Sequence, residues 1–119
     1  MVPTVALDTS INDDTMPKVS SPTDTNGGGG RRNMIVYQRQ YSANDRDIRG
    51  VLFTGGIVLD QADLNTMDAV YSLTKDQFQP SVDTDGEQFA VAYSQWANSQ
   101  DADVYLSSFN GAGDHIGLT

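Results

Sequence analysis

The groups in this chain best suited to chemistry are carboxylates at short, regular spacing. Asp83, Asp85 and Glu87 alternate around Gly86. Alternate acids about a glycine turn can wrap Ca²⁺, which takes six to eight oxygen ligands. A fuller calcium loop would want acids at position 81 and after 87, where Ser81 and Gln88 stand. The plainer reading is an Asp-Gly hairpin turn, with glycine supplying the positive φ. Asp45 with Asp47, and Asp101 with Asp103, are carboxylate pairs of the type that work as acid and base on glycosidic bonds. Their occurrence at two places points instead to residues that end turns and keep strand edges soluble.

Arg31, Arg32, Arg46 and Arg49 are four of the 7 basic residues. A guanidinium cluster can hold a substrate carboxylate through paired hydrogen bonds, as sialidase-type enzymes do. Glu87 is the sole Glu, so no nucleophilic Tyr–Glu pair can be assigned beside them, and a solvated basic loop is the alternative. His115 is the only His and has no cluster for zinc or for a triad. Tyr41 and Trp96 fall at matching strand ends. Such aromatics can stack on a sugar or anchor a protein ligand, or they can pack between neighbouring sheets. The glycine run 27–30 lacks the Lys-Ser/Thr of a phosphate loop. No catalytic residue and no organic cofactor is assigned, and Ca²⁺ at Asp83, Asp85 and Glu87 is the one metal candidate.

Composition bounds what can position these groups. The 119 residues fit one ordinary domain, with 38% hydrophobic and 19% charged. The formal net charge is −9, so phosphate backbones are repelled and nucleic acid is excluded as a partner. There is no cysteine, hence no disulfide and no thiolate site. No apolar run is long enough to span a membrane, and no signal peptide is visible. Asp favours caps and turns where Glu favours helices, and Glu is nearly absent here. With 11 Gly, the chain reads as many turns joining short extended segments, so an all-β fold is expected.

Two runs carry the strongest strand signal, 34–41 and 89–96, both rich in β-branched and aromatic residues. Each is followed by a polar loop, a second strand (47–53 and 103–109), a glycine turn and a short last strand (57–59 and 115–118). These are two copies of one pattern. Tyr37 and Tyr93 lie 56 residues apart (93 − 37), as do Asp45 and Asp101, Asp47 and Asp103, Phe53 and Phe109, and Gly55 and Gly111. Ile35 maps on Val91, and Ile48 on Val104. Ahead of each copy stands Pro-x-Val, at Pro17 and Pro80, and then an Asp-Thr-Asp/Asn-Gly turn. The organisation expected is a terminal strand of a preceding unit at 1–8, a first repeat at 17–60, an insert at 61–79 and a second repeat at 80–119. Within the insert, Leu64, Met67, Val70 and Leu73 are spaced for an amphipathic helical turn or for a loop with apolar anchors.

The order Pro-Ser-Val-Asp-Thr-Asp-Gly, Phe-Ala-Val-Ala-Tyr and Asp-Val-Tyr-Leu-Ser-Ser-Phe-Asn-Gly-Ala-Gly-Asp-His-Ile-Gly resembles the repeats of large bacterial extracellular β-propeller proteins. Residues 80–118 carry the resemblance well and 17–60 loosely; Tyr37 and Tyr93 stand where that family often has Trp. The resemblance implies a β-propeller-like fold with about two four-stranded antiparallel blades. For function it says little, since propellers host binders and enzymes alike. The acidic, cysteine-free composition fits a secreted or cell-surface bacterial setting, and acids repeated at turns rather than converging on one site point to a non-catalytic binding or structural module. A fragment of a glycosidase-type propeller enzyme and a calcium-stabilised repeat are the alternatives. A closed propeller takes typically 4–8 blades. The chain is therefore expected to be a piece of a larger protein, completed by further blades in cis or by self-association, with a protein or carbohydrate as its ligand; the alternative is that the two units pack on each other as a small sandwich.

Overall fold

The structure is a computed structural model and describes residues 11–23, 31–43, 45–54, 57–63, 76–98, 100–111 and 115–118. Eight strands account for most of them: β1 (Asp13–Val19), β2 (Asn33–Ser42), β3 (Asp45–Thr54), β4 (Ile57–Asp63), β5 (Gln77–Thr84), β6 (Gln88–Asn98), β7 (Asp101–Asn110) and β8 (His115–Leu118). The described residues contain no helix, and the all-β expectation holds. Two antiparallel sheets form in chain order, β1-β2-β3-β4 and β5-β6-β7-β8. Alternation drives this: along β6, Phe89, Val91, Tyr93 and Gln95 are buried while Ala90 and Trp96 are exposed, the period of two that a half-buried strand requires.

The registers of the two sheets match. Tyr37 faces Arg49, and Tyr93 faces Tyr105; Arg39 faces Asp47, and Gln95 faces Asp103; Ser42 faces Asp45, and Asn98 faces Asp101. Each second pair is the first moved on by 56, and both hairpins carry an irregularity before the last of these pairs. The first strands correspond at an offset of 63: Asp14 faces Arg39, and Gln77 faces Gln95. Met16 (φ 56°) and Gln79 (φ 54°) both hold left-handed backbone within a bulge of these strands.

The bulges revise one expectation. Pro-x-Val does not open the units; the strands start earlier, at Asp13 and Gln77, and Pro17 and Pro80 sit inside them. Both strands lie at a sheet edge, where a residue without an N–H is tolerated. Within the span 61–79, β4 runs to Asp63 and β5 begins at Gln77. The expectations for 1–8, for the glycine run 27–30 and for Leu64 to Leu73 lie outside the described residues.

One core joins the sheets. Met34, Val36, Ile48 and Leu52 from the first pack with Val82, Phe89, Val91, Tyr93 and Phe109 from the second. Phe89 and Phe109 are fully buried and face each other across β6 and β7. Each contributes about 2–3 kcal/mol by leaving water. Tyr93 and Tyr105 stack at 5.9 Å between ring centroids. β5 is the strand of the second sheet nearest the first, lying against β1, β2 and β3.

The two sheets meet through different faces. In β2 the even-numbered Met34 and Val36 enter the joint core. Their counterparts in β6 are Ala90 and Ala92, which point the other way; Phe89, Val91 and Tyr93 enter instead. The counterparts of those three in β2 are Asn33, Ile35 and Tyr37, on the face of the first sheet turned away from the core. Sheet therefore stacks on sheet front to back.

Candidate functional site

Where the sheets join, Arg46 at the start of β3 clasps Asp76 just ahead of β5. Its Nε donates to Asp76 Oδ1 at 2.8 Å, and one terminal nitrogen donates to Oδ2 at 2.7 Å. The Arg46 backbone N–H donates to Oδ1 as well, at 2.9 Å. These hydrogen bonds to Asp76 raise the Arg46 pKa above its ordinary value; partial burial works the other way, and the Asp76 charge adds to the rise. The guanidinium also lies 4.5 Å from the centroid of the Phe78 ring. Phe78 in turn stacks on Trp96 at 5.6 Å, and the Trp96 backbone N–H donates to the Asp76 carbonyl oxygen at 3.1 Å. Trp96 is thus tied into the joint between sheets while keeping an exposed side. Tyr41, 41% exposed, stands in the corresponding stretch of β2.

The turn between β5 and β6 holds the three acids proposed for calcium. Asp85 Oδ1 accepts the N–H groups of Glu87 and Gln88, both at 2.9 Å. These bonds, Gln88 first and Glu87 next, hold the Asp85 carboxyl below the usual Asp value although it is exposed. Asp83 Oδ1 accepts the N–H of Thr84 at 2.8 Å, and the Thr84 hydroxyl accepts the N–H of Gly86 and donates to the Gln88 carbonyl oxygen. Gly86 has φ 103°, a conformation costly for any side chain. The carboxylates of Asp83 and Asp85 close the turn, and Glu87 takes part through its backbone N–H. Among the described residues no group of three His, Cys, Asp or Glu is placed to hold a metal ion. Beside the turn lies an open recess of about 290 Å³, lined by Asp83, Asp85, Gln88, Phe89 and Ser108 among others.

The arginines do not gather. Arg32 donates to the Gly111 carbonyl oxygen at 3.0 Å, and Arg46 is committed to Asp76. Asn33, beside Arg32, faces Phe53, whereas Gln40, seven positions along β2, faces Arg46. Arg32 is thus eight positions along from the residue facing Arg46, about 26 Å at strand rise. Asp45 and Asp47 stay together on β3, and Asp101 and Asp103 on β7, but the two pairs differ in setting: Asp47 is buried opposite Arg39, and Asp103 is exposed opposite Gln95. His115 is in β8.

Sequence reasoning missed Arg39, Asp76 and Gln77. Arg39 binds Asp14 with two hydrogen bonds, 2.8 and 3.0 Å, and its side chain is only 7% exposed. Position was the available signal, since Arg39 stands where the repeat offset puts Gln95, inside a predicted central strand.

No family model, curated protein or solved structure matches this chain. Among the described residues no helix is long and apolar enough to cross a membrane.

Proposed function

We propose that the chain is a non-catalytic structural and binding module of the β-propeller-like kind, in which one four-stranded blade is written twice and blades stack front to back. The observation that supports this most is the use of opposite faces at the joint: Met34 and Val36 of one sheet against Phe89, Val91 and Tyr93 of the other. Stacking through unlike faces is an operation that can be repeated, as in rings and solenoids. The matched registers of the two sheets support the same reading. Carboxylates spent on closing turns and arginines spent on separate partners favour a binding role over catalysis. Exposed Tyr41 and Trp96 are the side chains we assign to contact a protein or carbohydrate ligand, in a secreted or surface setting.

The test is to append further copies of residues 64–119 to the C-terminus. Front-to-back blades raise the melting temperature with each added unit and keep one cooperative transition, because each new interface adds to stability. Added units that melt separately, leaving the original transition where it was, sink the proposal.

A further inference from the structure

The second sheet leaves one stretch of strand edge open. Among the described residues β8 pairs with β7 only at Ser107, Ser108 and Phe109, and no described strand lies along that side of β7 over 101–104. Alternate residues there turn their backbone N–H and C=O groups to water. In the first sheet the same stretch is closed. Asp47 and Ile48, which correspond to Asp103 and Val104, are 3% and 0% exposed, and the Arg46 N–H is taken by the Asp76 carboxylate. Val104, by contrast, is 76% exposed, and Asp101, Ala102 and Asp103 are exposed with it. We propose that this edge of β7 receives an extended segment of another protein, one in which basic and apolar residues alternate, as an added strand of the sheet. The inference names the ligand of the binding role given above and rests on that role, not on the stacking of sheets.

The occupant follows from backbone regularity and from charge. The edge strands β1 and β5 each carry an extra residue and a proline, Pro17 and Pro80, which keep an edge from pairing. β7 has neither, since the irregularities beside it fall in β6 and β8. Its side chains alternate: Asp101 and Asp103 stand on one face, and Ala102, Val104 and Leu106 on the other. Exposed Trp96, opposite Ala102 on β6, adds to the apolar side. A strand laid alongside sets its own alternate residues next to these, so lysine or arginine meets the aspartates while apolar side chains meet the other row. The net charge of −9 draws a basic segment and repels an acidic one. A second copy is excluded by the same charges, because two such edges paired about a two-fold axis crowd Asp101 and Asp103 against their equivalents.

The probe is a synthetic peptide of about six residues in which lysine and valine alternate. It is titrated into the full chain by calorimetry at low ionic strength, and amide hydrogen exchange is followed by NMR. The expected result is one peptide bound per chain, with exchange slowed within 101–104. Proline in place of the peptide's central valine removes a backbone donor and weakens binding by about tenfold or more, and glutamate in place of lysine abolishes it. Asp101→Lys combined with Asp103→Lys weakens the lysine peptide by about tenfold or more and lets the glutamate peptide bind, with the melting temperature unchanged. Absence of binding overturns the inference, as does a proline peptide that binds equally well, which is attraction to an acidic protein and nothing more. A dimer formed through this edge without peptide overturns it too. Protection confined to another strand removes the edge and leaves the binding role standing. The stacking of sheets is tested separately by the appended units.

Discussion

The side-chain amide of Gln77 donates to Gln95 Oε1 at 2.9 Å, at the register position where Asp14 and Arg39 pair in the first sheet. The matching register position thus holds an ion pair in one sheet and an amide pair in the other. Access explains the difference. Asp14 keeps 23% of its side chain in water, whereas Gln77 is wholly buried between the sheets. An ion pair taken fully out of water loses several kcal/mol per charge to desolvation; a neutral amide pair loses far less.

Charge is therefore expected to fail at this position. Gln95→Arg alone destabilises the fold by about 3–5 kcal/mol, as an unpaired buried charge does. Adding Gln77→Asp recovers part of that loss but stays below wild type. A double-mutant cycle by urea unfolding measures both, and full recovery would contradict the access argument.

The clasp at the joint makes a second prediction. Arg46→Ala removes a forked pair of charge-assisted hydrogen bonds and the contact over Phe78, and it lowers stability by about 1–3 kcal/mol. Arg46→Lys keeps the charge but not the fork and recovers less than half. Trp96, the only Trp, stacks on Phe78 and reports the loosening as a red shift of its fluorescence.

Backbone strain gives a third. Gln79 holds φ 54° without being glycine. Gln79→Gly raises stability by up to about 1 kcal/mol, and Gln79→Val lowers it by about 1–2 kcal/mol, since a β-branched side chain tolerates left-handed backbone worst. Thermal melts of Met16→Gly and Met16→Val show the same signs, because Met16 occupies the equivalent bulge.

Asp85 supplies the pH dependence. Its carboxyl is held below the ordinary Asp value in the folded chain by the N–H groups of Gln88 and Glu87. Its stabilisation is present above the unfolded-state pKa and is lost as pH falls through the lower, folded one. Asp85→Asn keeps a side-chain oxygen for the turn but does not titrate, so its melting temperature falls less steeply with acid than the wild type's. Because the carboxylates of Asp83 and Asp85 are engaged in closing the turn, calcium is expected to raise the melting temperature no more than magnesium at equal ionic strength.

Much of the sheet layout was legible beforehand. Alternation and β-branched content mark β2, β3, β6 and β7, and the offset of 56 between Tyr37 and Tyr93 carries every β2–β3 pairing onto a β6–β7 pairing. The starts of β1 and β5 were not legible, because Asp13, Asp14 and Gln77 are polar residues that a propensity argument assigns to loops. Their strand character comes from pairing with β2 and β6. The site was harder still. Asp76 and Arg46 lie 30 residues apart and meet only because β5 folds back over the first sheet. No local spacing encodes such a contact. Which face of each sheet would be covered was equally hidden, since alternation marks two faces without saying which one finds a partner.

The differing offsets have one more implication. The first strands correspond at 63 and the middle ones at 56, so the connection from β1 to β2 is longer than that from β5 to β6 by seven residues (63 − 56). The ladders on either side absorb that surplus without losing step. Lengthening a hairpin tip costs only about 0.6 kcal/mol per doubling. The connection from β1 to β2 is thus the natural place to graft a foreign peptide, such as an epitope or an affinity tag.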